Sequence, residues 1–305
     1  MTRLFIAVLV LAISATAADW RQFRGNAGVA AEGDRPGDLS KKPVVWKRSL
    51  PGEGISSPIV VGNQLFLTCS SGVDQERLHV MSFNLRNGGQ VWHRQFWATG
   101  RTMCHKKTAV AAPSPVSDGR RIYAQFSSND VICLDLEGNL IWMRGLTADY
   151  ANASNSLGMS SSPVIAGDAL IVQVENDAES FAAGLDLADG VNLWKVDRPK
   201  SANWTSPVSV GDNRAILQSK NGVSLVSAGS GRELWRFDGG ASTIPSSTLA
   251  GDLLLVPSNG ITAMRASAEG TSFDVAWRSA KLKPGTASPV IHGDRAYVLS
   301  GGGIL

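Results

Sequence analysis

Absences narrow this sequence before any motif does. Cysteine is scarce, with only Cys69, Cys104 and Cys133 in 305 residues. None forms a Cys-x-x-Cys pair, so zinc and thioredoxin-type chemistry have no signature, and Cys104-His105 lacks the partner cysteine of a haem attachment site. Three is odd, so one thiol at least stays unpaired; the expectation is one buried thiol and at most one disulfide. His79, His93, His105 and His292 are scattered without zinc-ligand spacing. No Gly-x-Ser-x-Gly marks a hydrolase elbow, and no Gly-Lys-Ser/Thr marks a phosphate loop. Neither sign of charge dominates: 29 Lys and Arg against 26 Asp and Glu give +3, too little to argue for nucleic acid or an anionic membrane. No apolar stripe of helical period exceeds about two turns.

Long apolar runs are confined to the start. Arg3, the stretch Leu4 to Ile13 and the small residues Ala15-Thr16-Ala17 read as a signal peptide over residues 1–17. The run is shorter than the roughly 20 residues a membrane helix needs, and no cysteine near the cleavage site offers lipid attachment. The mature chain is expected to begin near Ala18 and to be exported, to the periplasm or beyond, with no transmembrane segment. Residues 18–42 read as an irregular lead-in, with Trp20 and Phe23 as aromatic anchors.

What is present from residue 43 onward is one phrase said six times. It opens at Ser57-Pro58-Ile59, Ser114-Pro115-Val116, Ser162-Pro163-Val164, Ser206-Pro207-Val208, Ser246-Ser247-Thr248 and Ser288-Pro289-Val290. It closes at Trp46, Trp92, Trp142, Trp194, Trp235 and Trp277, in steps of 46, 50, 52, 41 and 42 residues. A glycine turn follows each opening: Gly62-Asn63, Asp118-Gly119, Gly167-Asp168, Gly211-Asp212, Gly251-Asp252 and Gly293-Asp294. Such pairs suit tight hairpins, and the Val, Ile, Leu, Tyr and Phe between them suit strands. Four short antiparallel strands every 40–50 residues define a β-propeller blade. The prediction is an all-β propeller of four-stranded antiparallel blades over 43–305, with about five full blades and a partial sixth. Val44-Val45-Trp46 is predicted as its first strand. Proline, lacking an N–H, places the opening strand on the inner edge, and each closing Trp is expected to fill the gap between blades. A sixth Trp step is due near residue 319, past Leu305, so the ring reads as incomplete.

The closing phrases Leu134-Asp135-Leu136-Glu137-Gly138-Asn139-Leu140-Ile141-Trp142 and Leu185-Asp186-Leu187-Ala188-Asp189-Gly190-Val191-Asn192-Leu193-Trp194 resemble the PQQ-like repeat. Together with Asp19-Trp20-Arg21-Gln22-Phe23-Arg24-Gly25, Cys104-His105-Lys106-Lys107-Thr108 and Asn203-Trp204-Thr205-Ser206-Pro207, the chain looks like a group of exported bacterial PQQ-like propellers. The resemblance implies two kinds of relative. Quinoprotein dehydrogenases hold PQQ and Ca²⁺. The propeller subunit of the outer-membrane β-barrel assembly machinery is a scaffold without catalysis.

The dehydrogenases resemble one another in a disulfide between adjacent cysteines, and this chain has no Cys-Cys. Glu175-Asn176-Asp177 offers oxygens within one loop, which reads as a solvated turn rather than a Ca²⁺ site. The reading is therefore an exported, non-catalytic, monomeric scaffold binding a protein or polysaccharide on its loop face, with no cofactor, metal or catalytic residue assigned. The alternative is a PQQ-dependent oxidoreductase with PQQ and calcium. The most unusual connector is Arg101 to Thr108, where Arg101, His105, Lys106 and Lys107 make a candidate loop for an anionic ligand. A solvated loop around a buried Cys104 is the competing reading.

Overall fold

The computed structural model describes residues 19–25, 44–153, 157–211, 213–301 and 303. The expected signal peptide and most of the lead-in lie outside the described residues.

The first blade comprises β1 (Ile59–Val61), β2 (Gln64–Ser71), β3 (Arg77–Asn84) and β4 (Gln90–Trp97). The second comprises β5 (Val116–Ser117), β6 (Arg121–Gln125), β7 (Asp130–Asp135) and β8 (Leu140–Gly145), followed by the single-turn helix α1 (Leu146–Asp149). The third comprises β9 (Val164–Ala166), β10 (Ala169–Val174), β11 (Phe181–Asp186) and β12 (Asn192–Asp197). The fourth comprises β13 (Val208–Ser209), β14 (Arg214–Ser219), β15 (Gly222–Ser227) and β16 (Glu233–Phe237). The fifth comprises β17 (Thr248–Ala250), β18 (Leu253–Ser258), β19 (Gly260–Ala266) and β20 (Phe273–Ser279). A sixth, two-stranded sheet holds β21 (Val290–His292) and β22 (Arg295–Tyr297). Every sheet is an antiparallel meander in chain order, and none closes on itself. Among the described residues these are the propeller blades that the period predicts, five of four strands and a sixth of two.

The first hairpin of each blade turns on glycine in the left-handed region, as at Gly62, Gly167 and Gly251 (φ 57°, 57° and 58°). A side chain there would be strained, which is why the turn recurs. Each opening strand is an edge of its sheet, so the proline before it costs no ladder bond.

The apolar cores lie between neighbouring blades. One joins Tyr123, Val131 and Trp142 of the second blade to Leu170, Phe181 and Leu185 of the third. Another joins Phe66, Leu78 and Trp92 of the first to Ile122, Ile132 and Leu134 of the second. A blade has two apolar faces and hides them by stacking.

The closing tryptophans make the stacking specific. The indole N–H of Trp46, Trp92, Trp142 and Trp194 donates to Leu85 O, Leu136 O, Leu187 O and Ala228 O of the following blade, at 3.0, 2.8, 3.1 and 2.5 Å. Each ring lies on a glycine of that blade. At Gly190 a Cβ would sit 2.8 Å from the Trp142 ring, and φ is +76°, so both space and backbone demand glycine. The repeat's aspartate holds the same turn: Asp135 accepts Asn139 N–H at 2.7 Å and Asp186 accepts Ala188 N–H at 2.7 Å.

Two expectations are corrected. Residues 44–50 carry no strand, although Trp46 docks on the first blade as the later tryptophans dock on theirs. Val44 and Val45 are largely exposed and have no ladder partner to make a strand of them. The expected disulfide is also absent: Cys69, Cys104 and Cys133 are all free thiols. Cys69 lies on β2, buried within the first blade, and Cys133 lies on β7, buried in the core between the second and third blades.

Candidate functional site

The channel axis is built by the opening serines. Ser57 N–H donates to Ser114 Oγ of the next blade at 2.8 Å, and Ser114 N–H to Ser162 Oγ at 3.0 Å. The chain of bonds continues from Ser162 to Ser206 (2.9 Å), Ser206 to Ser246 (3.0 Å) and Ser246 to Ser288 (2.9 Å). Inner strands of different blades do not share a ladder, so this belt satisfies backbone donors that burial would otherwise orphan. It gives the recurring serine a structural use: Ser114, Ser162, Ser206, Ser246 and Ser288 each accept a backbone N–H from the preceding blade.

Above the belt sits a layer that sequence reading missed. Gln125, Gln173 and Gln218 each lie two residues beyond the partner of the opening strand, in the pairs Val116↔Tyr123, Val164↔Ile171 and Val208↔Ile216. Gln218 is fully engaged: its amide donates to Ser242 O (2.6 Å) and Pro245 O (3.0 Å), and its carbonyl accepts Ser247 N–H and Oγ–H, both at 2.7 Å. The fifth repeat has serine where the others have proline, and that Ser247 N–H is the donor Gln218 uses. Gln173 donates to Gln218 O at 2.9 Å. Gln125 is buried with neither side-chain polar atom bonded to a described residue. The signal was a glutamine 11 or 12 residues after each of three opening serines.

Glu175 adjoins this layer and is buried. It binds Arg198 Nε at 2.7 Å and accepts Asn203 Nδ2–H at 2.9 Å. Burial pushes its carboxyl above the ordinary range, with Arg198 and Asn203 opposing. Asn176 is also buried, its side chain bonding Ala178 N–H and Glu179 O. The solvated turn read from the sequence is therefore corrected: only Asp177 of the three is exposed. Glu175, Asn176 and Asp177 do not fit a calcium ion. The Glu175 oxygens already serve a cation and an amide, the Asn176 oxygen serves the loop, and no group of three candidate ligands converges among the described residues.

The basic connector runs from β4 to β5. Arg101, His105, Lys106 and Lys107 are all exposed, and no ion pair among the described residues uses them. Gln75 fixes the connector's base, accepting Val110 N–H at 2.9 Å and donating to Cys104 Sγ at 3.7 Å. Arg101, Cys104 and Asp74 line an open cleft of about 560 Å³, whereas the other three basic residues do not line it. Burial raises the thiol pKa of Cys104, takes Cys69 to about 11 and takes Cys133 to about 12. None is a thiolate near neutral pH.

On the opposite face the hairpin turns surround a concavity of about 1310 Å³. Residues 19–25 cross it. Asp19 and Arg21 pair at 2.6 Å, and Asp19 Oδ1 accepts Gly62 N–H at 2.8 Å. Burial raises the Asp19 pKa, but Gly62 N–H and Arg21 outweigh it and hold the carboxyl below its ordinary value.

Blades of this sequence pattern, with a tryptophan docked on the following glycine turn at four successive closures, define a PQQ-like repeat β-propeller. A family model described as outer membrane protein assembly factor BamB matches residues 38–182 and again, displaced by about one repeat, 83–223. The chain belongs to that family. Comparison with curated proteins finds no match. Among solved structures, BamB from Moraxella catarrhalis is 17% identical with a TM-score of 0.56, over 85% of this chain and 70% of that one. Quinohemoprotein alcohol dehydrogenase from Comamonas testosteroni is 14% identical with a TM-score of 0.66, over 88% of this chain and 50% of that one. A europium-containing methanol dehydrogenase is 12% identical with a TM-score of 0.60, over 84% and 57%. At such identities the likeness is one of fold, and the fold carries both enzymes and non-enzymes. Among the described residues, no helix is long and apolar enough to cross a membrane.

Proposed function

We propose that this chain is an exported, non-catalytic propeller scaffold that binds a protein or glycan partner across its loop-lined face. The observation that carries the reading is the engagement of Glu175. Two carboxylates are buried among the described residues and both are consumed, Glu175 by Arg198 and Asn203 and Asp130 by Thr99 and Ser128, so both act as struts and not as ligands or bases. Family membership supports the same reading, through a relative named as an assembly factor. The binding surface is the connector bearing Arg101, His105, Lys106 and Lys107, exposed cations on a rigid frame. The alternative, a PQQ-dependent oxidoreductase, is favoured by the TM-score of 0.66 to the quinohemoprotein enzyme.

A photo-reactive amino acid at Met103, which is exposed within the connector, tests the reading in the native cell envelope. The expected result is a discrete cross-linked adduct that is lost when all four basic residues become glutamine. No adduct, or an unchanged yield from the quadruple variant, would overturn it.

A further inference from the structure

We propose that the mouth of the channel is a binding groove for an extended peptide carrying aromatic and guanidinium side chains, and that Asp19–Gly25 of this chain is its resident occupant. The segment binds as a peptide ligand binds a sheet edge. Trp20 exchanges both backbone hydrogen bonds with Val60 on the inner strand of the first blade, at 2.9 and 2.7 Å. One residue on, Arg21 O accepts Ser117 N–H of the second blade at 2.8 Å. The Arg24 guanidinium then crosses to the far side of the axis. It donates to Ser247 O at 3.2 Å, to Thr248 Oγ1 at 2.6 Å and to Pro289 O. Seven residues thus touch the openings of four blades.

Those openings are sheet edges, whose outward N–H and C=O groups recognise any extended backbone. Selectivity comes from side chains. Arg24 is largely buried, which pulls its pKa down to about 10, and the atoms that meet it are neutral oxygens. Three oxygens gathered from two blades demand a donor that forks, which guanidinium does and ammonium does not. Trp20 and Phe23 line an apolar cleft of about 610 Å³ with Pro58, Val60 and Val290. Beside Arg21 the wider mouth carries Asp118 and Asp168, along with Arg120. Blade residues beyond those that bond the segment line both clefts, so the groove offers surface to a longer segment. Eighteen residues, 26–43, separate the segment from Val44 in the sequence.

This inference deepens the scaffold reading and rests on it for the source of the incoming segment, an extended stretch of a partner protein. The test places a protease site between Gly25 and Val44 of the full chain. After cutting, a fluorescent peptide with the sequence of residues 19–25 is titrated and followed by anisotropy. The cut protein is expected to bind it saturably and the uncut protein not at all, with Trp20→Ala and Arg24→Ala peptides at least tenfold weaker. The groove is overturned if the cut protein, still melting cooperatively, binds the peptide no better than a scrambled one. It is also overturned if the resident segment never exchanges, or if the Arg24→Ala peptide binds equally well. A concentration-dependent dimer of uncut chain, lost on adding the peptide, would make a second copy the occupant and overturn the partner source. Peptide binding without a cross-linked adduct at the connector would keep the groove and remove the scaffold reading; the converse would do the opposite.

Discussion

The indole N–H of Trp142 donates to Leu187 O, 3.1 Å away in the next blade, while its ring covers Gly190. Repeated at Trp92 and Trp194, this contact joins the first four sheets, and Trp235 meets the fifth through the Phe273 ring, 5.4 Å between centroids. Trp142 is 8% exposed whereas Trp277 is 40% exposed, facing a two-stranded neighbour. Trp142→Ala is therefore expected to cost about 3–5 kcal/mol and Trp277→Ala clearly less. Urea unfolding midpoints of the two variants check the difference; equal losses would contradict it.

The glutamine layer makes a sharper comparison. Gln218→Met strands Ser247 N–H, Ser242 O and Pro245 O, at about 1–3 kcal/mol for each buried group left unpaired. Gln125→Met removes buried polar atoms that no described residue pairs, and is expected to be neutral or stabilising. Thermal melts of both variants decide; a loss at Gln125 equal to that at Gln218 would refute the assignment.

The buried ion pair tests the strut. Arg198→Met leaves the Glu175 carboxylate without its cation and is expected to cost about 3–5 kcal/mol. The double variant Glu175→Leu/Arg198→Met removes both charges and should recover most of that loss. A double variant less stable than Arg198→Met would show that Glu175 contributes something other than its charge pairing.

Acid should weaken the first blade. His79 is buried, its Nδ1 lies 2.8 Å from His93 Nε2, and its Nε2 lies 2.8 Å from Ser71 Oγ. Burial, then His93 and Arg77, lower its pKa from 6.5 to about 4. The unfolded chain binds a proton that the folded one refuses, so stability is full above pH 6.5 and falls as pH drops toward about 4. The loss is on the order of 2–3 kcal/mol, because each tenfold drop in proton affinity on folding is worth roughly 1.4 kcal/mol. His79→Gln is expected to flatten this part of the pH–stability profile, and an unchanged slope would contradict it.

The architecture was legible because it is written in repeats. Glycine turns, opening serines and closing tryptophans each solve one local problem, and six near-copies make the solution visible. The expected strand Val44-Val45-Trp46 does not form because Trp46 has the blade-closing sequence but no ladder partner, and a strand is defined by its partner. The reading of Glu175 as solvated fails because its partners lie 23 and 28 residues further on, past the last strand of its own blade. The axial groove was hidden for the same reason: Arg24 meets oxygens more than 220 residues away. Trp20 and Phe23 could be named as anchors from their type, but not the blades they would meet. The arginine two residues after Trp92 and Trp142 was also overlooked, although Arg94 and Arg144 bond Gly138 O and Gly190 O at 2.5 and 2.8 Å. A short period in sequence shows what each repeat does for its neighbour, and says little about contacts that cross the axis.

The central claim, a scaffold whose axial carboxylate is structural, is tested most directly by titrating the protein with PQQ in the presence of Ca²⁺. Quinone absorbance and alcohol-dependent dye reduction are followed together. The account predicts no saturable change at micromolar PQQ and no dye reduction above the protein-free control. Micromolar binding accompanied by alcohol-dependent dye reduction would contradict it.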